Sequence, residues 1–351
     1  MKRFSLLSIP FLLLAACSSP STDNSGTEES GTVSEQSTSD VLEVYTTAYP
    51  LTYFTERIGG ERVNVQSIYP PGANEHSFEP TQQDMIALAE ADFLFYIGLG
   101  LEEFIDSAES TLENENVEFI STADAISDEE LESGQLTEED NHEGESAEED
   151  SHEGESAEED SHEDESAEEE SHDEHGHDSV DPHVWISPVL SQKLAESIKD
   201  SLVQADAEGA ELYEANFEEL VSELEELDQS FIDLASEVEN KTFFVSHDAF
   251  GYIANTYGFE QVAVAGLNSQ DEPSQKELTE IVDLAKENQI EYVVFEQNVS
   301  SQLTEIIQNE IGAEAVNLHN LGVLTEEDIA NDETYFTLME KNREVLKLIL
   351  E

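Results

Sequence analysis

Basic side chains are scarce in this sequence: 12 Lys and Arg stand against 84 Asp and Glu, a formal net charge of −72 over 351 residues. A surface so acidic repels phosphate backbones and anionic lipid and attracts cations, which sets nucleic-acid binding aside. Cysteine is nearly missing too. The single Cys17 excludes both a disulfide framework and a thiolate metal cluster. No apolar run is long enough for a stable membrane span, since the stretch from Phe4 to Leu14 is too short. No H-E-x-x-H pattern or other hydrolase motif occurs, so no enzyme is expected. What remains, 38% apolar residues in a chain of this length, is enough for two lobes with a buried core each.

The position of the one cysteine is informative. Lys2 and Arg3 precede the apolar stretch, and Ala15 and Ala16 follow it, which is the layout of an export signal. Leu14-Ala15-Ala16-Cys17 resembles a bacterial lipobox, in which the cysteine is lipidated and becomes the first mature residue. Residues 1–16 are therefore expected to be a lipoprotein signal peptide, with Cys17 the lipidation site. Residues 17–40 are Ser, Thr, Glu and Gly with hardly any large apolar side chain, which predicts a flexible tether. The folded part is expected outside the cytoplasm, lipid-anchored to the cell membrane.

From Leu42 to Ile126 short β-rich runs (42–47, 63–68, 93–97, 117–120) alternate with helical periodicity (51–58, 81–89, 102–112). Such alternation predicts βα units and a mainly parallel sheet. Between Glu138 and Asp178 the composition changes to 22 acidic residues, six histidines and no Lys or Arg, on an imperfect ten-residue repeat. No apolar face exists there at any period, so a disordered loop is expected. Ser187 to Gln204 reads as helix, and after Gly209 the stretch 210–238 has apolar residues at three- and four-residue steps with no Gly or Pro. A helix of that length spans about 45 Å. A second series follows, with strands at 242–245, 261–265, 290–295 and 315–318 and helices at 249–257, 273–288, 300–311 and 335–350. The expected fold is α/β: two βα-sandwich lobes, 41–209 and 239–351, joined by the single long helix 210–238, with a metal site in the inter-lobe cleft.

Ten histidines divide by context. His142, His152, His162, His172, His175 and His177 lie in the acidic loop, where imidazoles beside carboxylates offer weak, exchangeable metal sites. His76 lies in the Pro/Gly-marked loop Pro70–Pro80, His183 in Asp181-Pro182-His183-Val184-Trp185, and His247 directly after a strand. Open α/β sheets bind ligands beyond the carboxyl ends of their strands, so these three can converge between the lobes. Neutral imidazole suits Zn²⁺, and three such donors leave one tetrahedral position to fill. Asp181 and Asp248 flank two of them and are candidates to orient the rings. Trp185 reads as packing under the site.

In chain order, the lipobox, Gly72-Ala73-Asn74-Glu75-His76-Ser77-Phe78-Glu79-Pro80, the acidic His loop, Asp181–Trp185 and Ser246-His247-Asp248-Ala249-Phe250-Gly251-Tyr252 form an ordered set. Gly266-Leu267, Asp271-Glu272-Pro273-Ser274 and Val294–Ser301 extend it. The set resembles the zinc-uptake substrate-binding proteins of ABC transporters, over essentially the whole mature chain. The resemblance implies a monomer that captures Zn²⁺ as transported ligand and works with an ABC permease and its ATPase. It implies His76 and His183 as ligands from the first lobe and His247 from the second. In the manganese branch the position of His247 is usually Glu, so histidine there favours zinc. Relatives often supply a fourth ligand as Glu in a segment like Leu318-His319-Asn320-Leu321-Gly322-Val323-Leu324, but here Gly322 stands at that position. Water, Glu75 or His319 are the alternatives, and Glu296, an acid at a strand end, is a further candidate.

Three rival readings keep the same residues. The transported metal is Mn²⁺ or Fe²⁺; the protein is a metal-buffering surface adhesin centred on the loop; or, with His₃ plus an activated water, it is a secreted zinc hydrolase.

Overall fold

Among the described residues, eight strands form two separate parallel sheets, each of four strands and each with one crossover in its order. The computed structural model describes residues 41–132, 180–269, 273–297 and 302–351. In the first sheet β1 (Leu42–Thr46), β2 (Val63–Ser67), β3 (Phe93–Tyr96) and β4 (Glu118–Ser121) lie in the order β2-β1-β3-β4. In the second, β5 (Thr242–His247), β6 (Glu260–Ala265), β7 (Tyr292–Glu296) and β8 (Glu314–Leu318) lie in the order β6-β5-β7-β8. All pairings are parallel, as strands joined through helices require. The described residues form a single compact unit. Among the described residues, no helix is long and apolar enough to cross a membrane.

Local signals explain why the helices start where they do. Thr81 with Asp84, Ser274 with Glu277 and Thr325 with Asp328 form reciprocal capping boxes at helices Gln82–Ala89, Gln275–Glu287 and Glu326–Ala330. Ser187 caps Pro188–Ala205, whose proline occupies the first turn where a missing N–H costs nothing. Gly258 ends helix Gly251–Tyr257 in the left-handed conformation at φ 70°.

The long helix runs from Ala210 to Glu237, between the two sheets in chain order. It buries Tyr213, Leu220, Leu224, Leu227, Phe231 and Leu234 on one face and packs against helices Tyr49–Gly59 and Pro188–Ala205. Arg57 on the first of these forms a two-pronged hydrogen bond to Glu223 at 2.8 and 3.0 Å. One core cluster runs through residues of both sheets, including Val44, Phe95, Val245 and Val294, together with Trp185 and Tyr335.

The strand and helix pattern matches the sequence expectation with shifts of one to three residues at the ends. Helices Asp128–Glu132 and Glu326–Ala330 are additions, both too short to show a period. His247, expected just after a strand, is the last residue of β5. The expected signal peptide with Cys17, the expected tether, and the acidic segment 138–178 with its six histidines lie outside the described residues.

Candidate metal centre

Three histidines from stretches far apart in the sequence meet in the interior. One nitrogen from each of His76, His183 and His247 lies within 4.8 Å of the other two, and all three residues are buried. The Nε2 atoms of His76 and His183 are 3.2 Å apart. That is close to the edge of a tetrahedron around Zn²⁺, about 3.3 Å for bonds of about 2.05 Å. Among the described residues no other group of this kind occurs.

His76 lies in the loop after β2. Its backbone N–H donates to Asn74 Oδ1 at 3.0 Å, an Asx turn that shapes the loop locally. The Asn74 amide in turn donates to Ser269 Oγ at 2.9 Å, beyond β6. His183 is fixed by its own motif. Asp181 Oδ1 accepts both the His183 backbone N–H at 2.8 Å and ring Nδ1–H at 2.7 Å. That bond selects the tautomer and leaves the Nε2 lone pair facing His76. Tyr252 donates to the Asp181 carbonyl at 2.8 Å, and the Trp185 ring stands edge-on to His183 with centroids 5.3 Å apart.

Parallel register builds the other wall. Val245 of β5 pairs with Val294 of β7, so His247 and Glu296, two residues further along each strand, emerge side by side. Both Glu296 oxygens lie 3.1 Å from His247 Nδ1. On the other flank His247 pairs with Ala265, and its Nε2 donates to the Leu267 carbonyl at 2.9 Å. Both ring nitrogens of His247 therefore already donate, and a metal needs one of them freed.

Charge follows from these surroundings. Burial pushes His76 down to about 3, with help from its two histidine neighbours, and pushes His183 far below the ordinary range. Burial also acts downward on His247, but Glu296 outweighs it and holds the imidazolium up to about 9. Burial raises Glu75 and Asp181 each to about 7.

The remaining sequence candidates fall into place around this cluster. Glu75 is buried beside it, and its carboxylate covers Gly322: a Cβ built there would lie 2.6 Å from Glu75 Oε1. Glycine at 322 and glutamate at 75 are thus complementary. His319 stands apart from the cluster. Its Nε2 meets Asp328 at 3.1 Å and its Nδ1 accepts the Leu321 N–H at 2.9 Å. Asp248 accepts from the Gln261 amide and has no hydrogen bond to the His247 ring, so the orienting acid expected there is Glu296. Sequence reasoning missed the Leu267 carbonyl and the amide of Asn320. The signal available for Asn320 was its place two residues beyond the end of β8.

The family profile described as zinc-uptake complex component A, periplasmic, matches residues 44–348. The chain belongs to this family. It is 33% identical over 337 residues to the high-affinity zinc uptake system protein ZnuA of Bacillus subtilis, covering 96% of this chain and 93% of that one. Against the zinc-binding lipoprotein AdcA of Streptococcus pneumoniae it is 32% identical over 354 residues, covering 99% of this chain but 61% of AdcA. The crystal structure of the Zn(II)-bound ZnuA-like domain of that AdcA superposes with a TM-score of 0.64 at 30% identity, covering 88% of this chain and 98% of the domain. Two parallel-sheet α/β lobes are thus the family's architecture as well as this chain's.

Proposed function

We propose that this protein captures Zn²⁺ outside the cytoplasm and hands it to an ABC import permease and its ATPase. The observation that carries the reading is the buried trio His76, His183 and His247, a nitrogen donor set with borderline-soft character that suits Zn²⁺ over Mn²⁺. Relatives at about a third identity named for zinc uptake and zinc binding support it. In this reading Zn²⁺ is cargo and undergoes no chemistry. The three histidines are its ligands, and Glu75 or a water completes the tetrahedron. Glu75 has the better claim, because the family's acid position at 322 is glycine and the Glu75 carboxylate fills the space above it. His319, engaged with Asp328 and Leu321, is not a ligand in this reading. Glu296 orients His247 and is not itself coordinated. Cys17 carries the lipid anchor, residues 17–40 tether the two lobes to the membrane as a monomer, and the acidic loop 138–178 collects zinc weakly through its histidines.

The test is calorimetric titration of Zn²⁺ and Mn²⁺ into the full chain, into a form lacking residues 138–178, and into His247→Ala. One tight, zinc-preferring site that survives loop deletion and is lost with His247 is the expected result. Loss of all tight binding with the loop alone would make this a metal-buffering surface protein. A preference for Mn²⁺ would reassign the cargo.

A further inference from the structure

The segment after β8 reaches both carboxylates beside the histidines through one side chain. Asn320 is 1% exposed, and its amide makes four hydrogen bonds. The Nδ2 group donates to Glu75 Oε1 at 2.8 Å and to Glu296 Oε2 at 2.8 Å. The Oδ1 atom accepts from Gly322 N–H at 3.0 Å and from Gln297 Nε2 at 3.1 Å. Its backbone carbonyl accepts the Trp185 indole N–H at 2.7 Å, and Trp185 in turn packs on His183.

The orientation of this amide is determined. A backbone N–H can only donate, so the atom facing Gly322 is the oxygen, and both amide hydrogens must face the carboxylates. Each donor is used once and neither carboxylate can be served by another hydrogen of the same group. The backbone beside it is held in an unfavourable shape: Leu321, fully buried, adopts φ 62°, the left-handed region that a side chain of its kind rarely enters. Further bonds stitch the strap to the first half of the chain, from Tyr49 N–H to the Gly322 carbonyl at 2.9 Å and from Gly72 N–H to the Leu324 carbonyl at 2.9 Å.

We propose that Asn320 is the positioning residue of the metal centre, its one amide spacing Glu75 from Glu296 and thereby setting both the acid beside His76 and the acid that orients His247. The proposal rests on the zinc-capture reading. Without the amide, two buried carboxylates lose their common donor and face each other, and the His247 ring loses the fixed partner that aims it.

Asn342 supplies the control. Its amide brackets the neighbouring residue, accepting His319 N–H at 2.8 Å and donating to the His319 carbonyl at 2.7 Å, without touching either carboxylate. Asn320→Ala and Asn342→Ala in the full chain are compared by Tm, Zn²⁺ affinity and the visible spectrum of bound Co²⁺. Asn320→Asp accompanies them, keeping the volume and the accepted bonds while losing the donors, in case the alanine variant does not fold.

The expected result is a tenfold to hundredfold loss of Zn²⁺ affinity in Asn320→Ala. The Co²⁺ spectrum should change in each folded Asn320 variant, while Asn342→Ala, at a similar loss of Tm, keeps the parent's affinity and spectrum. The proposal is overturned if Asn320 variants keep the parent's spectrum and affinity, or if Asn342→Ala changes them equally. A parent chain that binds no Zn²⁺ at the histidines refutes the capture reading instead, so the two failures are distinguishable.

Discussion

The two walls of the histidine cluster use one residue type in opposite electrostatic states. His76 and His183 come from loops of the first half, and burial holds both neutral far below the usual imidazole range. His247 comes from a strand end of the second half, where Glu296 holds a proton on it up to about 9. The first wall is already neutral and has only the hydrogen bond between its two Nε2 atoms to rearrange; the second must give up a proton and a hydrogen bond before it can ligate. A buried histidine triad is thus not three equal donors. In the proposed capture two of them set the site, and the third couples binding to pH and to whatever competes for the Leu267 carbonyl.

The harshest way to break the comparison is to remove the charged wall. His247→Ala should weaken Zn²⁺ binding at least about a hundredfold by calorimetry, since two nitrogen donors and one acid make a poor tetrahedral set. Retention of tight binding would mean the second wall contributes no ligand.

Next in size is the pH dependence. Metal displaces the proton from His247, so binding releases a proton wherever the free protein still carries it, which is below about 9. Zn²⁺ affinity should therefore fall by up to about tenfold per pH unit as pH drops from 9 toward 7, and more steeply below about 7, where a Glu75 ligand must also lose a proton to bind. His76 and His183, already neutral there, add nothing to the slope. Titrations in buffers of different ionisation enthalpy should report about one proton released per Zn²⁺ near pH 8, where His247 still carries its proton and Glu75 is already ionised.

Glu296→Gln sharpens the same point with a smaller effect. Without the carboxylate, only the Leu267 carbonyl and Glu75 are left to oppose burial at His247 and its proton is lost at lower pH, so the affinity profile flattens between neutrality and pH 9. The metal-free protein gives an independent readout. His247 titrates higher in the folded than in the unfolded chain, so the stability it adds is complete below about 6.5 and is lost as pH rises through about 9. A fall in Tm over that window should be present in the parent and absent in Glu296→Gln.

The smallest effect tests the complement between Glu75 and Gly322. Gly322→Ala drives a methyl group to within 2.6 Å of Glu75 Oε1, and overpacking of this sort should cost about 1–3 kcal/mol in denaturant melts. Most of that cost should vanish in the Glu75→Ala background, because the space is then open. Equal costs in both backgrounds would show that the carboxylate does not occupy that space.

Much of the fold was legible in the sequence because parallel βα units write their own periods. The strand runs at 93–97 and 315–318 and the uninterrupted apolar stripe at 210–238 depend on neighbours a few residues away, and local chemistry decides them. The capping boxes at Thr81 and Ser274 mark the helix starts for the same reason. The three histidines were found by their loop and strand-end contexts. What surrounds them is legible only in part, with Asp181 and Trp185 where the motif around His183 suggests. In the sequence Glu296 reads as a candidate ligand at a strand end, and Asp248, next to His247 in the chain, as the acid placed to orient the ring. In a strand, however, adjacent residues point to opposite faces, while residues paired on neighbouring strands share one. That is why Glu296, rather than Asp248, meets His247.

The sequence by itself determined the acidic surface, the order of strands and helices, and the three imidazoles, because each is set by composition or by contacts within one turn or one strand. Only the tertiary structure decided how those imidazoles differ. The register of β5 against β7 put a carboxylate on His247, and the strap after β8 set Asn320 between Glu75 and Glu296, residues 245 and 24 positions away. Proton affinity in a buried site depends on which groups lie within a few ångströms, and that distance is fixed by packing between elements, not by their order in the chain.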